Sequence, residues 1–151
     1  MPEQKIITDL AFFLSSINRK NKKIVFTNGC FDLLHEGHLH LLREARKRGD
    51  MLFVAVNTDD SVKKLKGNSR PVEPLEKRMA KLTKIKEVDY ILPFSEETQL
   101  SIIHQVQPDI LVKGGDYQKE TVAGSHLESE VVIISLPGDY STTKIIESNK
   151  N

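Results

Sequence analysis

Two histidines three residues apart, His35 and His38, are the residues of this chain best suited to chemistry. They follow an apolar run that stops at Thr27-Asn28-Gly29-Cys30-Phe31-Asp32-Leu33-Leu34, and they enclose Glu36-Gly37. The pattern predicts a strand, a turn and a helix beginning near Gly37. Gly29 lets the backbone come close to a ligand, and a helix start presents unpaired N–H groups and a partial positive charge to an anion. Three-residue spacing allows both imidazoles to point toward the same bound group. The combination predicts a phosphate site. Zinc fits less well, because HEGH lacks the spacing of HExxH and a third and often a fourth ligand would be needed, with only Cys30 and His40 close by.

Three further stretches carry suitable groups. The run Lys63-Lys64-Leu65-Lys66-Gly67-Asn68-Ser69-Arg70-Pro71 follows the carboxyl end of a predicted strand, where open α/β sheets place ligands, although most charge runs are solvated surface. Beyond it, Arg78 offers a guanidinium that either clamps a phosphate bidentately or pairs with Glu76 or Asp89. Lys113-Gly114-Gly115-Asp116-Tyr117 ends another strand, and its glycines suit either close approach to a ligand or a plain tight turn. Ser141-Thr142-Thr143, after Pro137-Gly138-Asp139-Tyr140, opens a last helix, as caps or as a second anion site.

The elements that must position these groups are legible as apolar periodicity. Thr8 is a plausible N-cap for a helix over about 8–20, with Leu10, Phe13, Leu14 and Ile17 on one face. Strands are predicted at Ile24–Thr27, Leu52–Val56, Tyr90–Pro93, Ile110–Val112 and Val131–Ser135. Between them lie a helix carrying Leu39, Leu42 and Ala45 with Gly49 as C-cap, and a short helix capped by Thr58 or Asp59. Next comes a helix with Pro74 in its first turn and Leu75, Met79, Leu82 and Ile85 on one face. A helix with Leu100, Ile103 and Val106 follows, with Glu96 and Glu97 in its first turn and Pro108 ending it; a weak helix spans Thr121–Leu127. The alternation predicts an α/β fold, a doubly wound five-stranded parallel sheet with right-handed crossovers. Strand order 3-2-1-4-5 would bring Asn28-Gly29 and Gly114-Gly115 to one crevice at the switch point. GxGxxG and GxxxxGK[ST] are absent, which argues against dinucleotide and P-loop sites.

Composition bounds the rest. A length of 151 residues suits a single domain over 1–151, without room for a second catalytic module. Twenty-two Lys and Arg against twenty-one Asp and Glu give a net charge of +1, so no global field argues for nucleic acid or membrane, and any basic site must be local. One cysteine excludes an internal disulfide and fits a reducing, cytoplasmic compartment. The partly apolar Leu10 to Ile17 has neither the flanks of a signal peptide nor the length of a span.

HxGH after a strand, Asn-Gly and Phe-Asp-Leu-Leu resembles the catalytic signature of nucleotidyltransferases of the cytidylyltransferase type. LKGNSRPVEPLEKR, VKGGDY and PGDYSTTKII are similar to the adenylyltransferase domain of the heptose-phosphate enzymes, which makes ADP-heptose for lipopolysaccharide and related bacterial glycans; the likeness runs from Lys22 to about Glu147. It implies transfer of AMP from ATP to D-glycero-D-manno-heptose 1-phosphate with release of pyrophosphate. His35 and His38 would be catalytic, donating to phosphates. Asn28, Gly29, Cys30, Phe31, Lys66, Gly114, Asp116, Ser141, Thr142 and Thr143 would bind nucleotide, the last three holding the leaving pyrophosphate. Lys64 and Arg78 would bind the sugar phosphate. Cys30 would be a small turn residue without covalent chemistry. Mg²⁺ is expected with ATP, held mostly by phosphates and water, and no metal-binding residue is assigned. Asp32 either helps hold that ion or stabilises the turn after Phe31. The expected partners are small molecules and a second copy of the chain. In that family the domain is often fused behind a sugar kinase; here a separate protein is expected to supply the sugar 1-phosphate. HEGH and STT are shared with glycerol 3-phosphate cytidylyltransferases, the alternative reading.

Overall fold

Five runs rich in β-branched and aliphatic residues pair side by side, all parallel, in the computed structural model, which describes residues 5–115 and 129–134. They are β1 (Ile24–Gly29), β2 (Met51–Asn57), β3 (Tyr90–Phe94), β4 (Ile110–Gly114) and β5 (Glu130–Ile134), in the order β3-β2-β1-β4-β5. This is the expected order, with β1 central and the switch point between β1 and β4. The predicted helices at 121–127 and after Pro137 lie outside the described residues.

Alternation along the strands divides the core in two. Phe26, Phe53, Ala55, Leu92 and Leu111 face one side, against Ile102, Ile103 and Val106 of α5 (Gln99–Val106) and Leu10, Phe13 and Leu14 of α1 (Leu10–Ser16). Val25, Leu52, Val54, Val56, Ile91 and Val112 face the other, against Leu41, Leu42 and Ala45 of α2 (Glu36–Arg46) and Leu82 of α4 (Leu75–Thr83). Covering both faces requires strands without a polar side, and every residue of β2 is buried. The short α3 (Asp59–Lys66) follows β2. None of the described helices is long and apolar enough to cross a membrane.

Aspartates just ahead of three strands fasten the opposite end of the sheet. Asp50 accepts from Lys23 N–H, Asp109 from Ile24 N–H and Asp89 from Leu52 N–H, each at 2.7 to 2.8 Å. The strands therefore start in register, and their carboxyl ends open into the turns that carry the polar motifs.

Several boundaries differ from expectation for local reasons. The N-cap of α1 is Asp9, whose carboxylate accepts from Phe12 N–H, and the helix stops at Ser16 rather than near 20. Gly49 is not a left-handed C-cap of α2: a Cβ there would lie 2.7 Å from Val25 Cγ2 and 2.9 Å from the Lys23 carbonyl, so the glycine permits close passage beside β1. Pro74 is the N-cap of α4 rather than part of its first turn. Glu96 and Glu97 precede the start of α5, and Glu96 instead accepts from the Ser61 hydroxyl at 2.7 Å.

Candidate active site

Between β1 and α2 the chain folds through a turn in which Phe31 (φ 50°) and Leu33 (φ 53°) are left-handed, a conformation that costs a non-glycine residue about 1 kcal/mol or more unless its surroundings impose it. The Phe31 ring is buried against the second core cluster and lies over Gly29, where a Cβ would sit 3.2 Å from Phe31 Cε2. Asp32, fully buried, accepts from Val72 N–H at 2.8 Å, Glu73 N–H at 3.0 Å and Arg70 Nε at 3.2 Å. The turn is thus held from the core by an aromatic ring and from the side by the loop ahead of α4.

The two histidines build the helix start themselves. His35 is the N-cap of α2, and its Nδ1 accepts from Gly37 N–H at 3.1 Å; His38 reaches back, and its Nδ1 accepts from His35 N–H at 3.2 Å. This is a capping box made of imidazoles, and it accounts for the three-residue spacing. A neutral imidazole that accepts at Nδ1 carries its proton on Nε2, so each ring presents an N–H donor there. Burial, with neighbouring His35 and Lys66, pushes His38 down to about 3 against the pull of Asp32, and burial also lowers His35. The ring centroids are 3.9 Å apart. Two imidazolium charges at that spacing would repel by about 4 kcal/mol at an effective dielectric of about 20, which excludes the doubly charged pair, and with both groups lowered from 6.5 the neutral pair prevails near pH 7.

Cations gather around the turn. Lys66 ends α3, and its charge acts on His38, on Cys30 and on Lys113. Lys113, near the end of β4, donates from Nζ to the Asn28 carbonyl at 3.1 Å. Burial raises the Cys30 thiol, outweighing Lys66, Arg78, Lys113 and Arg70, so it is no thiolate nucleophile. Its Sγ donates to Asn57 Oδ1 at 3.6 Å, Asn57 Nδ2 donates to Ser61 Oγ, and Ser61 Oγ donates to Glu96. Neutral N–H donors, a helix start and ammonium groups together can bind phosphates and stabilise negative charge. A cleft of about 620 Å³ beside Arg19, His104 and Asp109 lies at the amino end of β4, away from these groups.

The family model described as Cytidylyltransferase-like matches residues 26–148, which include this turn, both histidines and all five strands apart from the first residues of β1. The chain belongs to the cytidylyltransferase-like family. It is 47% identical to the bifunctional protein HldE of Helicobacter hepaticus, over 97% of this chain and 30% of that one. To its namesake from Haemophilus influenzae it is 50% identical, over 87% of this chain and 28% of that one. The chain therefore spans under a third of the length of these curated relatives. Among solved structures it is similar to the lipopolysaccharide core biosynthesis protein of Thermoplasma volcanium, with 28% identity and a TM-score of 0.66, over 80% of this chain and 99% of that one.

Against this cytidylyltransferase-like frame, two residues expected to hold the sugar phosphate stand elsewhere. Arg78 is fully buried on α4. Its Nη1 donates to the carbonyls of Cys30 (2.7 Å) and Asn57 (2.8 Å), its Nε to that of Glu73 (2.9 Å) and its Nη2 to Asp59 Oδ1 (2.7 Å). It is a tie beneath the site, not a surface clamp. Lys64 has a side chain 68% exposed and 3.9 Å from Glu97; two positions along a helix point nearly opposite ways, so Lys64 and Lys66 do not face the same group. The Phe31 side chain is core, which leaves its backbone for a ligand. Asp32 holds the loop at 70–73, so the turn-stabilising alternative describes its bonds. Gly114 ends β4 beside Ile134. Asp116, Ser141, Thr142 and Thr143 lie outside the described residues. Sequence reasoning named Lys113 and Arg70 only as members of their runs, without a role, read Asp59 only as an alternative cap, and did not single out Glu73. Arg70 and Glu73 are buried partners in a Pro-rich turn, and Asp59 is a partly exposed residue opening α3.

Proposed function

We propose that this chain transfers AMP from ATP to D-glycero-D-manno-heptose 1-phosphate, giving ADP-heptose and pyrophosphate. The observation that carries the reading is the pair of neutral imidazoles capping α2 beside the switch point. The choice of heptose and adenine is supported by the likeness of the RPVEP and VKGGDY segments to the heptose-phosphate adenylyltransferases, and by 47% identity to an HldE protein across nearly the whole chain.

A sugar phosphate oxygen attacks the α-phosphorus of ATP in line, the new P–O bond forms, and the bond to pyrophosphate breaks. No base is needed, since a phosphate monoester with a second pKa near about 6 is already largely a dianion at neutral pH. The task is positioning and charge stabilisation. His35 and His38 donate from Nε2 to phosphoryl oxygens as negative charge concentrates there. Lys66 and the N–H groups opening α2 hold nucleotide phosphates, and Ser141, Thr142 and Thr143 hold the departing pyrophosphate. Among the described residues no three His, Cys, Asp or Glu side chains group to hold a metal, and Asp32 is engaged by its loop. Mg²⁺ would come in on the triphosphate, held mostly by phosphates and water, where it would offset phosphate charge.

The proposal includes a cytoplasmic homodimer. A lone thiol suits a reducing compartment, and Phe12 (71% exposed) and Leu100 (48%) supply apolar surface for a second copy. Sedimentation showing a monomer at micromolar concentration would count against the dimer.

The activity is tested by assaying ATP, CTP and GTP against heptose 1-phosphate, other sugar 1-phosphates and glycerol 3-phosphate, scored by pyrophosphate release with Mg²⁺ and with chelator. Turnover should be highest for ATP with heptose 1-phosphate and be lost with chelator. CTP outpacing ATP on every acceptor overturns the reading.

A further inference from the structure

The β1–β4 ladder ends at Thr27↔Val112, although β1 runs on beside β2 to Gly29↔Val56 and β4 beside β5 to Gly114↔Ile134. The two central strands therefore part before their ends, and the crevice opens there. Lys113 stands in the gap, its Nζ 3.1 Å from the carbonyl oxygen of Asn28, next to the glycine of the phosphate turn. The side chain is partly buried, and burial lowers its ammonium from the ordinary value, with Cys30 opposing and the charge of Lys66 adding to the effect. An ammonium in such a gap can meet an anion through a charge-assisted hydrogen bond as well as tie the two strands. Two lysines from different elements, Lys66 ending α3 and Lys113 near the end of β4, act on the turn where a polyanion is to bind, Lys113 by direct contact with the Asn28 carbonyl.

We propose that Lys113 is a phosphate ligand, closing from β4 on a phosphate group held over the Asn28–Cys30 turn while Lys66 closes from α3. The inference rests on the nucleotidyl-transfer reading of this turn but not on the identity of the sugar. Phosphate is the shared chemistry, and its source is either ATP or the acceptor sugar 1-phosphate.

The test measures Kd by calorimetry for wild type, Lys113→Met and Lys113→Arg with two ligand pairs, ATP against adenosine and heptose 1-phosphate against free heptose. Loss of a charge-assisted hydrogen bond should weaken the phosphorylated member of one pair by about 10- to 100-fold in the Met variant, leave its unphosphorylated partner within about threefold, and be largely restored by Arg. Weakening confined to ATP assigns the nucleotide side, and weakening confined to the sugar phosphate assigns the acceptor side; either supports the proposal. Equal weakening within a pair, or no recovery with Arg, shows a strand tie and overturns it. Unchanged ATP affinity together with unchanged or undetectable sugar-phosphate binding overturns it as well. A wild-type chain that binds ATP but transfers nothing to heptose 1-phosphate defeats the substrate reading alone, and the ATP and adenosine pair still decides the role of Lys113.

Discussion

Replacing Arg78 with methionine should destabilise this protein rather than alter how substrate is held. Methionine fills most of the space of the arginine stem but leaves behind the carbonyls of Glu73, Cys30 and Asn57, each now accepting at 2.7 to 2.9 Å from a side chain with no solvent exposure. A buried acceptor stripped of its donor costs about 1–3 kcal/mol. Asp59 adds little, because its side chain is 42% exposed and it keeps the Leu75 N–H at 2.9 Å. Relaxation and entering water reduce the sum, so the expected loss is about 3–5 kcal/mol, as for removing one member of a buried charged network. For a chain of this size that is a fall in Tm on the order of 10 °C. Thermal and urea unfolding followed by circular dichroism read the loss directly, and KM for the sugar phosphate is then taken well below the new transition. Arg78→Lys, which restores charge without the fork, should recover only part of the stability. A Met variant that melts within about 2 °C of wild type while its sugar-phosphate KM rises about tenfold would refute the tie and restore Arg78 to a substrate clamp.

Other expected outcomes follow from the same bonds. His35→Ala and His38→Ala should each lower kcat by about 10²- to 10³-fold with modest change in KM, since neutral donors act on charge that develops at the transferring phosphorus; steady-state kinetics with saturating ATP decide it, and near-normal kcat in either variant removes that histidine from the chemistry. Because the folded His38 has its pKa depressed to about 3, the unfolded chain binds the proton first; this stabilising contribution is whole above pH 6.5 and is lost as pH falls toward 3, by at most about 1.4 kcal/mol per unit crossed. The stability gap between wild type and His38→Gln should therefore narrow between pH 7 and pH 5, and a constant gap would contradict the neutral cap. Asp32→Asn should cost about 2–4 kcal/mol by loosening Arg70, Val72 and Glu73, seen in urea melts and in faster proteolysis near 67–73, with the Mg²⁺ dependence of turnover unmoved. A shifted Mg²⁺ requirement in a stable variant would mean that Asp32 serves the ion.

The parallel α/β class and the location of the turn that carries the histidines follow from the sequence alone. Both depend on local periods: apolar strand runs alternate with helical stripes, and HEGH after Asn28-Gly29 marks a helix start; the order 3-2-1-4-5 is one of a few right-handed doubly wound arrangements, and the assembled sheet selects it. Ends of elements were less legible, because Asp9 and Thr8 are both competent caps and only the chain's path selects one. The histidine spacing was visible as a shared direction, but its meaning as a reciprocal cap with the proton on Nε2 needed the backbone geometry of His35 and the burial of His38. Arg78 shows the limit most clearly. Its place on α4 made it a charged side chain off the apolar stripe, yet its acceptors lie as far as 48 residues away at Cys30, so nothing in its own segment could reveal that it is sealed under the turn. Lys113 and Asp32 are decided in the same way, by partners 85 and 41 residues distant. Secondary structure and an anion-binding helix start are local properties and can be read from one stretch of chain. Which charges are spent on the protein and which remain for phosphate depends on non-local pairing and desolvation, and those exist only once the strands have assembled.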